Sequence, residues 1–308
     1  MQTWIPACAR MTILDVFLFV TRHLALVTIF SYTLRQKWLL GYNYKQQVSS
    51  MIPLINSKTL IFVVVGGILP ALLWLWFWLK EDGKRPEPKQ MILYTFIAGG
   101  LAVFLAFYLE QYASSNFDTG TLENVNISFS SLWSGIRASL PLLYLFFSWA
   151  LIEEFVKYLA ALLVALRSRH NDEPVDGMIY MITAALGFAA VENSLFLLKT
   201  VRLGMSGFDF LINGNLRFLG ATLLHVFSST IVGAAIGLSF NSSGKRKIFN
   251  TVVGILLASL LHAFFNFFII INSGQSIFRV LIALWVFIIV IFLLFEKIKK
   301  IKTPYVQR

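Results

Sequence analysis

Six ionisable residues embedded in apolar runs carry most of the chemistry this chain can do. Glu153, Glu154 and Lys157 lie in SWALIEEFVKYLAALL, Glu192 in GFAAVEN, His225 in LLHVFSSTIVG and His262 in LLHAFFN. An ionisable side chain is expensive in hydrocarbon unless it pairs or meets water, so each is a functional candidate. Carboxylates and imidazoles can take a proton from water, hand one to a leaving group or hold a metal ion.

Helical spacing adds companions. Lys157 follows Glu153 by four and Glu154 by three, which places one ammonium beside two carboxylates in unlike surroundings, an asymmetry that suits acid and base roles. Asn266 follows His262 by four and Ser229 follows His225 by four, so each imidazole has a neutral hydrogen-bonding neighbour on its own face; Phe188 precedes Glu192 by four. Taken singly, each has a structural use as an ion pair, a packing histidine or a helix-to-helix hydrogen bond. Which glutamate of the pair would act as base stays open, since adjacent residues point about 100° apart.

The elements that position these groups are membrane helices. The 308 residues are 57% hydrophobic and 13% charged, well below the charged fraction of soluble domains, with a mean hydropathy of +0.74. Runs of about 20 apolar residues recur. The expected fold is an all-α polytopic membrane helix bundle with about seven transmembrane helices from residue 60 onward, at 60–79, 91–109, 138–166, 178–198, 218–240, 248–271 and 277–295. Glu153 lies 13 residues from Leu166, Glu192 14 from Met178, His225 15 from Phe240 and His262 14 from Ile248. At 1.5 Å per residue, all four sit about 20 Å from one face. Unrelated structural choices would not share one depth.

That face is expected to be cytoplasmic. The segments 80–90, 167–177, 241–247 and 296–308 hold four, two, three and five Lys or Arg, against about five in the intervening loops. The expected setting is therefore a multi-pass protein of the cell membrane with a cytoplasmic C-terminus and a basic tail at 297–308. The net charge of +11 follows from the same loop bias and does not call for a nucleic-acid partner. One cysteine, Cys8, excludes an internal disulfide and a cysteine-based metal site. Residues 1–52 are expected to stand apart from a domain at 53–296. Their apolar run Ile13–Phe30 is split by Arg22 and His23, and reads as an interfacial helix or as sequence upstream of a true start at Met51.

The motifs EEFVK, GFAAVEN, LLHVFSSTIVG and LLHAFFN, in this order, resemble the PrsW family of intramembrane proteases, distant relatives of CAAX prenyl proteases and bacteriocin-processing membrane enzymes. DGKRPEP (Asp82–Pro88) and EPVDGMIY (Glu173–Tyr180) are similar to that family as well. The resemblance implies an endopeptidase acting on membrane-anchored proteins, such as anti-sigma factors, with Glu153, Glu154, Lys157, Glu192, His225, His262 and Asn266 as its catalytic set.

Two arrangements of these residues can activate water and stabilise an oxyanion. In one, His225, His262 and Glu192 bind zinc and Glu153 or Glu154 is the base. In the other, without metal, a glutamate and His225 activate the water while His262 and Asn266 donate to the oxyanion. A transporter or proton-coupled carrier is the alternative function, since intramembrane acids and histidines also line ion pathways.

Overall fold

The computed structural model describes residues 57–80, 82, 85–115, 132–202, 220–271 and 277–301. The segment at residues 1–52, expected to stand apart, lies outside them. Among the described residues there is no strand, and seven helices follow one another: α1 (Ser57–Trp78), α2 (Lys89–Ser115), α3 (Leu132–Ala161), α4 (Asp176–Arg202), α5 (Thr222–Leu238), α6 (Gly244–Ile271) and α7 (Ile277–Ile298). A π-helical turn, Leu162–Leu166, extends α3.

Four of these are long and apolar enough to cross a membrane, over Leu60–Trp78, Lys89–Ser114, Asp176–Leu198 and Gly244–Phe267; α5 is a shorter apolar helix. About seven crossings were expected, and these four meet the length and composition of a span among the described residues. The outward faces carry large apolar side chains, among them Phe62 on α1, Phe104 on α2 and Leu257 on α6. In water such a surface would be a liability; against lipid tails it is a solvent match.

The centre of the bundle is α4, which packs against α1, α2, α3 and α5. Of its membrane-length window 67% is buried, against 22% for α1. Small residues make this possible. A Cβ added at Gly187 would run into the backbone carbonyl oxygen of Phe96 on α2, and one at Gly99 into that of Ala184 on α4. The two backbones touch there, as small residues allow between membrane helices.

Around this axis, α3 packs against α2, α4 and α6, and α5 against α4, α6 and α7. At one end Trp78 of α1 stacks on Phe295 of α7 at 5.7 Å between ring centroids. The four helices bearing the ionisable residues, α3 to α6, thus form a ring whose interior receives their polar side chains.

Candidate active site

The ring brings together what the motifs kept apart in sequence. Glu154 is fully buried on α3. Its Oε1 is met by Lys157 Nζ at 2.9 Å, Ser228 Oγ at 2.7 Å and His262 Nδ1 at 3.0 Å; Ser229 Oγ donates to Oε2 at 2.8 Å. A carboxylate so surrounded has its acceptor positions filled. Glu153, one residue earlier, is turned differently. Its side chain keeps 13% exposure, and its Oε2 lies 3.2 Å from Lys157 Nζ, 3.6 Å from His225 Nδ1 and 3.8 Å from His262 Nε2.

Each imidazole is held from behind by a glutamate. An ionised carboxylate only accepts, so His262 Nδ1 donates to Glu154, and its Nε2 lies on the side of Glu153. His225 Nε2 donates to Glu192 Oε2 at 2.6 Å, while its Nδ1 accepts from the Lys157 ammonium at 2.8 Å. The two rings meet edge-on, 5.1 Å apart and 82° between planes. Phe188, one turn before Glu192, lies 5.5 Å from the His225 ring and beneath the Lys157 ammonium at 4.4 Å. The FxxxE spacing therefore supplies an apolar floor and an acid to one histidine.

The residues expected at the site fall into place unevenly. Ligand atoms of Glu153, His225 and His262 lie within 4.8 Å of one another, the one such histidine and acid group among the described residues. Glu192, expected beside both histidines, stands outside that group and contacts His225 on its far nitrogen. Ser229 serves Glu154 instead of its own-face neighbour His225. Asn266 is partly exposed one turn beyond His262, and among the described residues no hydrogen bond joins it to the group.

Two imidazole nitrogens and a carboxylate oxygen form a donor set that suits zinc, and outer carboxylates on the far nitrogens are typical of zinc-bound histidines. On donor chemistry, then, the residues fit a metal ion. The Lys157 ammonium on His225 Nδ1 is the contact that an ion at that atom would displace.

Ser228 and Glu110 were not singled out from the sequence. Ser228 was hidden because its neighbour Ser229 follows His225 at helical spacing, whereas what matters is that both hydroxyls point across to α3. Glu110 lies just past the expected span 91–109, but α2 continues to Ser115 and holds it on the helix, within electrostatic reach of Glu153.

Away from this layer, the two loop motifs meet each other. Asp82 Oδ2 accepts from the backbone N–H of Glu87 at 2.9 Å, and the Tyr180 hydroxyl donates to the Glu87 carboxylate. Asp176, in the first turn of α4, takes the N–H of Glu173 on Oδ2 at 2.5 Å. Burial pushes the Glu87 carboxyl up to about 7, beside Asp176 and Asp82, and burial raises Asp82 too. DGKRPEP and EPVDGMIY thus fasten the α1–α2 connection onto the start of α4.

Comparison with known proteins identifies a family. Residues 87–294 match the family model described as PrsW family intramembrane metalloprotease. Protease PrsW of Oceanobacillus iheyensis is 28% identical over 208 residues, 68% of this chain and 83% of the relative. Protease PrsW of Bacillus subtilis is 25% identical over 205 residues, covering 67% and 81%. That of Clostridioides difficile is 26% identical over 214 residues, covering 68% and 80%. No solved structure matches. These matches favour a peptidase over a transporter. With the family model spanning 87–294 and the acids and histidines of four successive helices gathered at one point, this chain belongs to the PrsW family of intramembrane metalloproteases.

Proposed function

We propose that this chain hydrolyses peptide bonds of membrane-anchored proteins at the level of Glu153, His225 and His262. The observation that carries the reading is that Glu153 Oε2 faces both His225 Nδ1 and His262 Nε2 while the other two glutamates brace the imidazoles from behind. Residues 53–296 form the catalytic domain, crossing the cell membrane about seven times with the basic tail 297–308 in the cytoplasm. The loop charges support that orientation.

Glu153 is the residue that takes the proton of the attacking water. It is less hydrogen-bonded than Glu154 and is the partly exposed one of the pair. The water oxygen adds to the substrate carbonyl carbon as its proton passes to Glu153. The same proton then goes to the amide nitrogen as the C–N bond breaks, so none is gained or lost. His262 Nε2 orients that water, and Lys157 supplies positive charge 3.2 Å from the reacting carboxylate. Glu154 and Glu192 fix the rings. Were a zinc ion held by Glu153, His225 and His262, it would supply Lewis acidity and a more acidic water, and Glu153 would then serve as a ligand in place of the base.

The substrate class follows from depth: a site within a helix bundle meets proteins that share the bilayer, and membrane-anchored regulators such as anti-sigma factors are of that kind. The test is cleavage of a tethered reporter by purified protein. Glu153→Gln, Glu154→Gln, His225→Ala and His262→Ala are each expected to cut poorly, and retained cleavage in all four removes the site. In the same assay, loss of cleavage with a chelator and its return with zinc support a held metal, while indifference to chelator assigns the site to metal-free hydrolysis.

A further inference from the structure

The acids of the candidate site find their counterparts within the chain. Lys157 faces Glu153 and Glu154, and His225 meets Glu192. Glu110 differs. Among the described residues no hydrogen bond or ion pair reaches its carboxylate, which is partly exposed near the end of α2.

Its position follows from a contact one turn away. Ser114 Oγ donates to the backbone carbonyl of Glu110 at 2.6 Å and accepts from Trp149 Nε1 on α3 at 3.0 Å. Further along the same pair of helices, Val103 and Ala106 pack with Val156, so α2 and α3 run antiparallel. Four residues back from Ser114 is Glu110, and four residues on from Trp149 is Glu153. Both steps move the same way along the bundle and bring the two carboxylates abreast. Glu110 accordingly lies within electrostatic reach of Glu153, Glu192 and Lys157.

A carboxylate among apolar helices, near two more and lacking an ion-pair partner of its own, is unfavourable unless it holds a proton or a positive group arrives beside it. Glu110 is not among the groups whose ligand atoms can share one ion with His225 and His262. The arriving group therefore belongs to what binds beside Glu153. We propose that Glu110 is a specificity residue that receives a lysine or arginine side chain of the substrate near the bond that is cut. The long stem of such a side chain lets its charged head reach α2 while the backbone lies at Glu153, and a charge-assisted hydrogen bond forms there in low dielectric.

This rests on the peptidase reading, so the test measures binding and cleavage separately. Membrane-spanning peptides with one lysine moved along the segment, each paired with a methionine control, are bound to the full-length purified protein, and both Kd and kcat/KM are measured. At one or two positions lysine is expected to tighten binding about tenfold over methionine, a charge-pair effect of ordinary size. Glu110→Gln brings that ratio close to one, and Glu110→Lys transfers the preference to glutamate-bearing peptides. Glu110→Ser serves as the charge-removing variant if Glu110→Gln folds poorly. A lysine preference that survives removal of Glu110, or no preference at any position in the wild type, overturns the assignment. Peptides bound with the preference and never cut sink the peptidase reading while leaving Glu110 as a reader of basic residues.

Discussion

Glu154 of α3 and His262 of α6 are joined at 3.0 Å, and the same carboxylate oxygen is shared with Lys157. One fully buried acid thereby ties together two helices and sets the imidazole proton on Nδ1. Removing its charge leaves Lys157 with a single carboxylate partner, a loss of about 3–5 kcal/mol when a buried pair is broken. Glu154→Gln is therefore expected to lower the thermal unfolding midpoint of the detergent-purified protein clearly. Glu153→Gln, at a partly exposed position with longer contacts, is expected to lower it much less. Equal midpoints for the two variants would contradict the division of labour between these neighbours.

Stability should also depend on pH through Glu87. Its folded carboxyl titrates at about 7 against an ordinary 4.5, because burial disfavours the charge. Between those values the folded chain binds more protons than the unfolded one, so stability is highest below the unfolded value and falls as pH rises toward about 7. Glu87→Gln keeps a group that can accept from Tyr180 and removes the titration. The wild type is expected to lose more thermal stability than this variant between pH 5 and pH 8. Parallel pH profiles for the two proteins would show that Glu87 carries no such linkage.

Gly187 is predicted to be intolerant of any side chain. A Cβ there meets the carbonyl of Phe96, a backbone atom that cannot swing aside. Gly187→Ala should cost about 1–3 kcal/mol or more and push α2 off α4, carrying Glu192 away from His225. Gly244, at the start of α6, has open space around it, and Gly244→Ala should be close to neutral. Equal yields and unfolding midpoints for the two variants would argue against the close crossing of α2 and α4.

The common level of these residues was legible in the sequence because an α-helix advances a fixed 1.5 Å per residue, so counting from the ends levelled Glu153, Glu192, His225 and His262. What counting does not supply is rotation and lateral neighbours. Glu153 and Glu154 differ by one residue and so by about 100°, and only the packing of α3 against α5 and α6 shows which is braced by Ser228, Ser229 and His262. Glu192 could be put at the right level, but the side of His225 it meets depends on how α4 and α5 cross. The contact between Tyr180 and Glu87 spans 93 residues of chain. Two motifs with no shared periodicity gave no sign of it. Glu110 was obscured by a boundary: its polar surroundings suggest a loop, while contacts to α3 and α4 keep the helix running.

In the proposed hydrolysis the carboxylate of Glu153 takes the proton of the water, and its removal is the most direct measurement. With Glu153→Gln and wild type purified alike and shown to be folded to the same degree, cleavage of the tethered reporter by the variant should be slower by about 10²-fold or more, the usual weight of a general base. A variant that cuts at nearly the wild-type rate would contradict the assignment of Glu153, whatever the histidine variants do.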